Sequence, residues 1–423
     1  MLGDAPAFTT SGRISEQRWR DVLTEQREAP AAGRGPFGVS EEQTFRPDIQ
    51  GLRALAVLLV IADHAGIAGF SGGYIGVDIF FVISGYVITQ LVLREADKGI
   101  RTGLTDFYAR RVRRIVPAAT ATLVGTILVA WATLGTRLNP NLPGDVRWAS
   151  LFSANFRLIE TGSNYFVPGI YPSLITQFWS LGVEEQFYLF FPLIVFLVAR
   201  YAPPARRVTL LAGTLTVAVA LSAWWSIQIT ASEPTTAYYS PLTRFWELGL
   251  GCLLATLTIR RPTRTARSER LAVVIALVLL VLALVELNAR SVYPGSLAWL
   301  PCGASALFIW AGVGGQRNLI TRLLSTRPLG YIGDLSYSLY LVHYVWVELP
   351  GQLSTPLTGW PWRALEIAGT FVTAALSYHF LENPIRRSKR LSGDRVAVFL
   401  VLCVCVATSW TASLVVARVA HLG

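Results

Sequence analysis

Long apolar runs separated by short polar segments make up most of this chain from residue 50 onward. A helix that crosses the hydrocarbon core of a bilayer needs roughly 20 mostly apolar residues. We predict such helices near 50–68, 73–93, 115–134, 178–199, 208–229, 239–258, 271–287, 297–313, 334–349, 363–381 and 396–417. The pattern therefore predicts an all-α fold, a polytopic bundle of membrane helices.

Lys and Arg residues are distributed unevenly among the connections between these helices. One alternating set of connections carries 23 of them, and the other set carries five. The basic set comprises 94–114, 200–207, 259–270, 314–333 and 382–395. Short loops rich in Lys and Arg stay in the cytoplasm. We therefore expect a multi-pass protein of the cell membrane with its N-terminus in the cytoplasm and, after eleven crossings, its C-terminus outside.

Composition agrees with this placement in lipid. Hydrophobic residues are 52% of the chain and charged residues only 15%, whereas a soluble domain has roughly 25% charged residues. The net charge of +11 lies in clusters between apolar runs, which argues against nucleic-acid binding. Residues 1–44 are polar and begin without an apolar stretch, so we expect a disordered cytoplasmic tail and no cleaved signal peptide.

The first predicted helix contains Arg53, Asp63 and His64. An ionisable group inside a membrane costs at least a few kcal/mol and is a functional candidate by default. Arg53 and His64 are eleven residues apart, which is close to three helical turns and roughly 16 Å along the axis, so both project from nearly the same face. Alternatively, Arg53 extends to the inner headgroups and His64 caps the outer end.

The second predicted helix contains Asp78 within GGYIGVDIFFVISGYVIT, residues 72–89. A buried carboxylate needs a donor, and we expect Arg53 or His64 to supply it. The glycines of this segment are expected to let helices approach closely; they are Gly72, Gly73, Gly76 and Gly85.

Three further predicted helices contain polar residues. The fourth begins FWSLGVEEQFY, in which at least one of Glu184 and Glu185 should face the bundle interior. In the same segment, Trp179 and Tyr188 are either residues of the aromatic belt at the membrane interface or functional residues. The sixth carries Arg244 and Glu247, three residues apart, for which an internal ion pair is the simplest expectation. The ninth places one polar stripe on its surface, formed by Ser336, Tyr340 and His343.

The densest basic run is FYARRVRRIVP, residues 107–117. Its arginines keep the segment in the cytoplasm and attract anionic lipid. Guanidinium groups also grip phosphate oxygens in pairs, so the same cluster is a candidate phosphate site. The four cysteines lie in apolar runs without CxxC spacing, which indicates neither a metal site nor a disulfide framework.

Six ordered blocks resemble the membrane-bound acyltransferase 3 family over roughly residues 45–390. They are FRPDIQGLRALAVLLVIADH, GGYIGVDIFFVISGYVIT, FYARRVRRIVP, FWSLGVEEQFYL, GDLSYSLYLVH and LENPIRR. The resemblance implies a ten-helix catalytic core that moves an acyl group, usually acetyl, from cytoplasmic acyl-CoA to an extracytoplasmic carbohydrate, glycolipid or other hydroxyl-bearing acceptor. It also implies an additional helix in residues 391–423, as in relatives that carry an extracytoplasmic SGNH-type domain, which we expect here as a separate partner.

The resemblance assigns candidate roles. We predict a catalytic set of Arg53, His64, Asp78, Glu184 and Glu185; a donor-binding set of Arg110, Arg111 and Arg114 for acetyl-CoA; and an acceptor-binding set of Trp179, Tyr188, Ser336, Tyr340 and His343, with no metal. His64 takes a proton from the acceptor hydroxyl or is itself acylated. Asp63, Asp78 or a glutamate orients its ring, and Arg53 steadies an oxyanion or a phosphate. The alternatives are a transporter or flippase for a glycan or lipid-linked substrate and a catalytically silent scaffold or sensor.

Overall fold

The computed structural model describes residues 37, 46–96, 99–163, 165–166, 173–259, 265–313, 318–353 and 359–420. The described residues are helices and connecting turns, which confirms the predicted all-α fold. Apart from Phe37, the predicted tail at 1–44 lies outside the described residues.

Each of the eleven predicted positions carries a helix, the shortest of them with 14 residues. They are α1 (Pro47–His64), α2 (Gly76–Glu95), α3 (Ile100–Leu134), α4 (Phe178–Tyr201), α5 (Arg207–Thr230), α6 (Pro241–Leu257), α7 (Ala266–Glu286), α8 (Trp299–Gly312), α9 (Arg327–Gly351), α10 (Trp360–Ser377) and α11 (Arg395–Ala420). Shorter helices connect them at Leu142–Ser150, Ala154–Glu160, Pro234–Tyr239, Leu319–Leu324, Asn383–Arg386 and Lys389–Gly393.

Seven helical segments of the described chain are long and apolar enough to cross a membrane, and they contain α2, α3, α4, α5, α7, α10 and α11. Of the other four, α8 has only 14 residues and α6 only 17. Helices α1 and α9 carry the ionisable and hydroxyl residues that the sequence singles out. The number of crossings, eleven, stays a prediction.

The start of α3 differs from the predicted one. The third helix was expected to begin at residue 115, whereas α3 begins at Ile100 and includes the basic run at 107–114. Arg and Ala are among the better helix formers, so a run of arginines extends a helix rather than ending it. The arginines therefore project from the first half of a continuous helix and do not lie on a loop.

Helix α2 lies at the centre of the bundle, packed against α6, α1 and α8. Its contact with α6 depends on one glycine from each side. A Cβ atom added at Gly85 would lie 1.9 Å from the carbonyl oxygen of Leu248, and one added at Gly251 would lie 2.0 Å from that of Val82. Backbones approach this closely only where side chains are missing. Cβ atoms at Gly72, Gly73 and Gly76 would also meet backbone oxygens at 2.2 to 2.6 Å, which confirms the predicted packing role of the four glycines.

Helices α5, α7 and α11 expose most of their large apolar side chains. Helix α11 lies against α3, where it buries Val398, Ser409, Ser413 and Val416. One exposed ion pair, between Arg395 and Asp106 at 3.1 Å, joins the beginning of α11 to α3. The apolar surface of these helices is typical of a face turned to lipid, because a soluble protein rarely exposes so much.

A turn of π-helix, Tyr378–Glu382, follows α10 and precedes the proline-containing turn Asn383–Arg386. The carboxylate of Glu382 is buried there and accepts a hydrogen bond from Ser338 of α9 at 2.9 Å. Local widening of this kind is frequent at functional sites.

Replacing Gly85 with Ala should destabilise the protein by at least about 2 kcal/mol, because α2 and α6 have to separate to accommodate one methyl group. Thermal unfolding in detergent, followed by tryptophan fluorescence, measures the change. Gly213→Ala in α5 is the matched control, since nothing lies within 4 Å of its added Cβ. Equal unfolding temperatures for the two variants would contradict the close approach.

Candidate active site

The polar face of α1 lies against α9, its principal partner. Near the start of α1, Arg53 donates from Nε and Nη2 to the hydroxyl oxygen of Ser336 at 3.1 and 2.9 Å. The guanidinium therefore points into the bundle and lies beside an internal cavity. The alternative in which Arg53 extends to the inner headgroups is wrong.

At the other end of α1, His64 meets a second histidine. Its Nδ1 lies 3.0 Å from Nε2 of His343, and its Nε2 lies 2.7 Å from the hydroxyl of Tyr165. The two imidazoles are stacked with centroids 5.0 Å apart, and Tyr344 packs edge-on against His64. His64 therefore does not simply cap the outer end of the helix, because both ring nitrogens are engaged inside the protein.

The expected carboxylate partner of this imidazole is replaced by an imidazole. Asp63, Asp78 and the glutamate pair were predicted to orient His64, but its ring nitrogens contact His343 and Tyr165. Asp63 is the residue immediately before His64 on α1, and it packs beside Gly73 instead. One residue along a helix turns a side chain by about 100°, which carries Asp63 off the face that His64 shares with α9.

The predicted polar stripe of α9 is confirmed, since all three members face the interior. Ser336 accepts from Arg53 and His343 contacts His64. Between them, the hydroxyl of Tyr340 lies 2.5 Å from that of Ser180 and 3.1 Å from the carbonyl oxygen of Gln177. Polar side chains of α1 and α9 thus contact each other near both ends of the interface between the two helices, at Arg53–Ser336 and at His64–His343. We call this interface the polar seam.

A cavity of about 100 Å³ lies at the Arg53 end of this seam. Its polar lining comprises Arg53, Ser84, Arg111, Arg114, Ser180, Glu184, Tyr188, Ser336, Tyr337 and Tyr340. Apolar residues, mostly from α2, form the rest of its lining. His64 is not part of the lining. Tyr340 lines the cavity while its ring lies 5.4 Å from that of His343, so this ring stands between the cavity and the histidine pair.

The three arginines predicted to bind the donor differ in their surroundings. Arg110 forms an ion pair with Glu95 at 2.8 Å and is about one-third exposed. Arg111 forms a short ion pair with Glu185. The buried Nε of each of the three has no hydrogen-bond partner among the described residues. Arg114 lines the cavity and, unlike the other two, forms no ion pair within the described chain, so its charge is the one most available to an anionic ligand.

The two predicted glutamates occupy different positions. Glu184 lines the cavity and accepts hydrogen bonds from Ser84 at 2.8 Å and from Tyr188 at 2.6 Å. Glu185 holds Arg111, whose guanidinium also lies 4.1 Å from the centroid of the Tyr188 ring. Both carboxylates thus face protein, and they balance part of the positive charge around the cavity.

The prediction that Arg53 or His64 donates to the Asp78 carboxylate is wrong. Neither Arg53 nor His64 reaches it; instead, Arg244 of α6 lies 3.3 Å from its carboxylate. The same guanidinium lies 2.8 Å from Glu247, which confirms the predicted ion pair within α6. All three side chains are fully buried. Asp78 therefore belongs to a charge cluster between α2 and α6, and its catalytic role stays a prediction that this geometry does not favour.

The same cluster contains three ligand-type atoms close enough for a metal ion. Oxygens of Asp78 and Glu247 and the sulfur of Cys302 lie within 4.8 Å of one another. Arg244 already bridges the two carboxylates, so a cation is in place without a metal. Four aromatic rings surround this guanidinium with centroids 5.4 to 5.8 Å away, those of Phe81, Trp179, Tyr238 and Tyr293.

The interface-belt alternative for Trp179 and Tyr188 does not hold, because both side chains are buried inside the protein. Trp179 is fully buried against Arg244, and Tyr188 is 3% exposed and lines the cavity. Binding of the acceptor by Trp179, Tyr188, Ser336, Tyr340 and His343 stays a prediction.

Several residues of the site were not predicted from the sequence, and two of them make its most informative contacts. Tyr165, which contacts His64, lies in the connection between α3 and α4, where sequence gives no periodic signal. Glu382, which lies near Arg53 and Arg114 and accepts from Ser338, is in the block LENPIRR, whose order was noted without a role. That block was the available signal for Glu382.

The fold and its buried ionisable groups define a polytopic helical membrane protein with a site inside the bundle. An acyltransferase domain profile matches residues 46–382, and the chain belongs to the acyltransferase 3 family. It is 31% identical over 354 residues to the peptidoglycan O-acetyltransferase OatA of Listeria monocytogenes, covering 81% of this chain and 56% of that protein. It is 32% identical over 357 residues to the O-acetyltransferase OatA of Staphylococcus aureus, covering 81% and 57%.

The chain thus spans a little over half the length of these relatives. No solved structure matches it.

Replacing Arg244 with Met should destabilise the protein by about 3–5 kcal/mol, because two buried carboxylates lose their only strong cation partner among the described residues. Thermal unfolding in detergent checks this. Arg395→Met removes an exposed ion pair and should cost at most about 1 kcal/mol. Combining Arg244→Met with Asp78→Asn and Glu247→Gln should recover part of the loss; an unchanged loss would contradict the charge explanation.

Proposed function

We propose that this chain moves an acetyl group from cytoplasmic acetyl-CoA to a hydroxyl of an extracytoplasmic carbohydrate. The supporting observation is that Arg53 and His64 lie on one face of α1, each paired with α9, with an arginine-lined cavity at the Arg53 end. Family membership and the names of the relatives support acetyl as the group and peptidoglycan as the class of acceptor.

The cavity end of the seam suits the donor. Arg53, Arg111 and Arg114 approach it, and arginine is the side chain that best matches the paired oxygens of a phosphate. The Lys and Arg residues of the connections at this end support a cytoplasmic position for it, where acetyl-CoA is made available. Arg53 stands roughly 16 Å along α1 from His64, which favours contact with the donor's anionic groups over contact with an oxyanion at the histidine.

The histidine end suits the acceptor. An acceptor hydroxyl beside His64 gives its proton to the imidazole while its oxygen attacks the thioester carbon. The carbon–sulfur bond then breaks, and the departing sulfur takes the proton, which leaves free CoA and the acetyl ester. Because the cavity ends at Tyr340, the thioester has to pass this ring to reach His64, so turnover includes a movement of Tyr340.

His64→Ala should lower acetyl transfer by at least about 100-fold, because the reaction loses its proton acceptor. Labelled acetyl-CoA supplied to proteoliposomes, with acetyl ester counted on a peptidoglycan-derived oligosaccharide, measures the rate. His379→Ala is the matched control, since that histidine contacts Tyr331 and not the site. Full activity in His64→Ala would reject its role, and transport of the oligosaccharide without acetylation by the native protein would favour the transporter alternative.

Arg114→Gln should raise the KM for acetyl-CoA about ten- to hundredfold, because a charged donor to phosphate is worth roughly 1.5–3 kcal/mol. Arg110→Gln should change it at most about fivefold, since Arg110 already pairs with Glu95 and does not line the cavity. Initial rates at varied acetyl-CoA concentration distinguish the two. A larger effect at Arg110 than at Arg114 would contradict this assignment of the donor site.

A further inference from the structure

Four groups form one hydrogen-bonded series through His64 and His343. The carbonyl oxygen of Tyr340 lies 2.7 Å from Nδ1 of His343, and Nε2 of His343 lies 3.0 Å from Nδ1 of His64. Nε2 of His64 lies 2.7 Å from the hydroxyl of Tyr165. Each ring nitrogen thus has one partner, and the series runs from a backbone carbonyl at one end to a phenol at the other.

The backbone carbonyl at one end determines which atom donates and which accepts in each hydrogen bond of the series. A carbonyl oxygen only accepts, so Nδ1 of His343 carries a proton and donates it. His343 is fully buried, and its partners in the described structure are this carbonyl and His64, neither of which is a carboxylate. An imidazolium in that setting would be a buried charge without a counter-ion, which is costly. His343 is therefore neutral, and its Nε2 holds a lone pair.

The direction carries through to His64. Because Nε2 of His343 accepts, Nδ1 of His64 has to donate, and a neutral His64 then holds its lone pair on Nε2. Tyr165 agrees with this arrangement from the other side. Burial raises the pKa of its phenol well above the usual range, so the hydroxyl keeps its proton and donates it to Nε2.

We propose that His343 is a positioning residue that holds His64 in the Nδ1–H tautomer, so that Nε2 is the nitrogen that takes the proton of the acceptor hydroxyl. The proposal rests on the proposed acetyl transfer and deepens it by naming the reacting atom. A hydroxyl that takes the place of the Tyr165 phenol gives its proton to Nε2 as its oxygen bonds to the acetyl carbon. The sulfur of CoA leaves with its bonding electrons and receives that proton, while Nδ1–H stays bonded to His343.

This arrangement differs from a histidine backed by a carboxylate. An anionic partner orients the ring and also stabilises the imidazolium that forms during proton transfer. A neutral imidazole orients the ring and selects its tautomer but contributes no negative charge. His343 thus performs the orienting part of that role with an uncharged group, which suits a buried site where an unpaired carboxylate would be costly.

The tautomer can be observed directly, because the chain has only four histidines. Protein labelled with ¹⁵N in the imidazole rings is reconstituted in lipid, and His379→Gln and His421→Gln samples remove the other two signals. We expect protonated Nδ1 and bare Nε2 in both His64 and His343. A proton on Nε2 of His64, or a cationic His343, at neutral pH would overturn the proposal. This measurement needs no substrate, so it tests the pairing independently of the proposed function.

Two variants of His343 test the consequence for the reaction. Leu removes the acceptor, whereas Gln places an amide oxygen at a similar reach and can accept from Nδ1–H of His64. His343→Leu should lower kcat by at least about 100-fold at an unchanged KM for acetyl-CoA, with the Nδ1–H signal of His64 lost. His343→Gln should keep that signal and stay within about tenfold of the native kcat. Full activity in His343→Leu, or equal losses in two variants that unfold at the native temperature, would overturn the role.

Adding His343→Leu to His64→Ala should leave the residual rate unchanged, because a residue that acts only through His64 has nothing further to lose. A further fall would overturn an action through His64 alone. Absence of acetyl transfer by the native protein would refute the proposed function, whereas a wrong tautomer in an active protein would refute only the role of His343.

Discussion

The polar seam between α1 and α9 is the constraint on which the site depends. Inside a bilayer a polar side chain has no water to bond, so it has to find a partner on a neighbouring helix. Arg53 finds Ser336, and His64 finds His343. These contacts hold the two helices in one rotational setting, and that setting presents a guanidinium to the cavity and an imidazole to the opposite end.

Buried charge falls into two groups with different surroundings. Around Arg244, both carboxylates and four aromatic rings enclose the cation completely, which makes the cluster between α2 and α6 a fixed part of the bundle. Around the cavity, Arg111 is held by Glu185, whereas Arg114 has no ion pair within the described chain. A charge with a carboxylate partner stabilises the packing, whereas a charge without one beside a cavity can receive an anionic ligand.

The cavity and the histidine pair are adjacent but separate. Tyr340 is the element they share, because it lines the one and contacts the other. Its hydroxyl is held by Ser180 and by the carbonyl oxygen of Gln177, both from the α4 region. A barrier of this kind is what the proposed transfer across the membrane requires, since an open passage would also admit water and ions.

The sequence by itself determined the all-α class, the positions of eleven helices and the polar faces of α1 and α9, because helix periodicity and the cost of polar groups in lipid are local properties. Only the tertiary structure decided which faces meet. Asp78 pairs with Arg244 from a helix more than 150 residues away, and Tyr165 reaches His64 from a connection without periodicity. Which residue becomes a partner across the bundle depends on how the helices pack. The spacing of residues along a single helix carries no information about that packing.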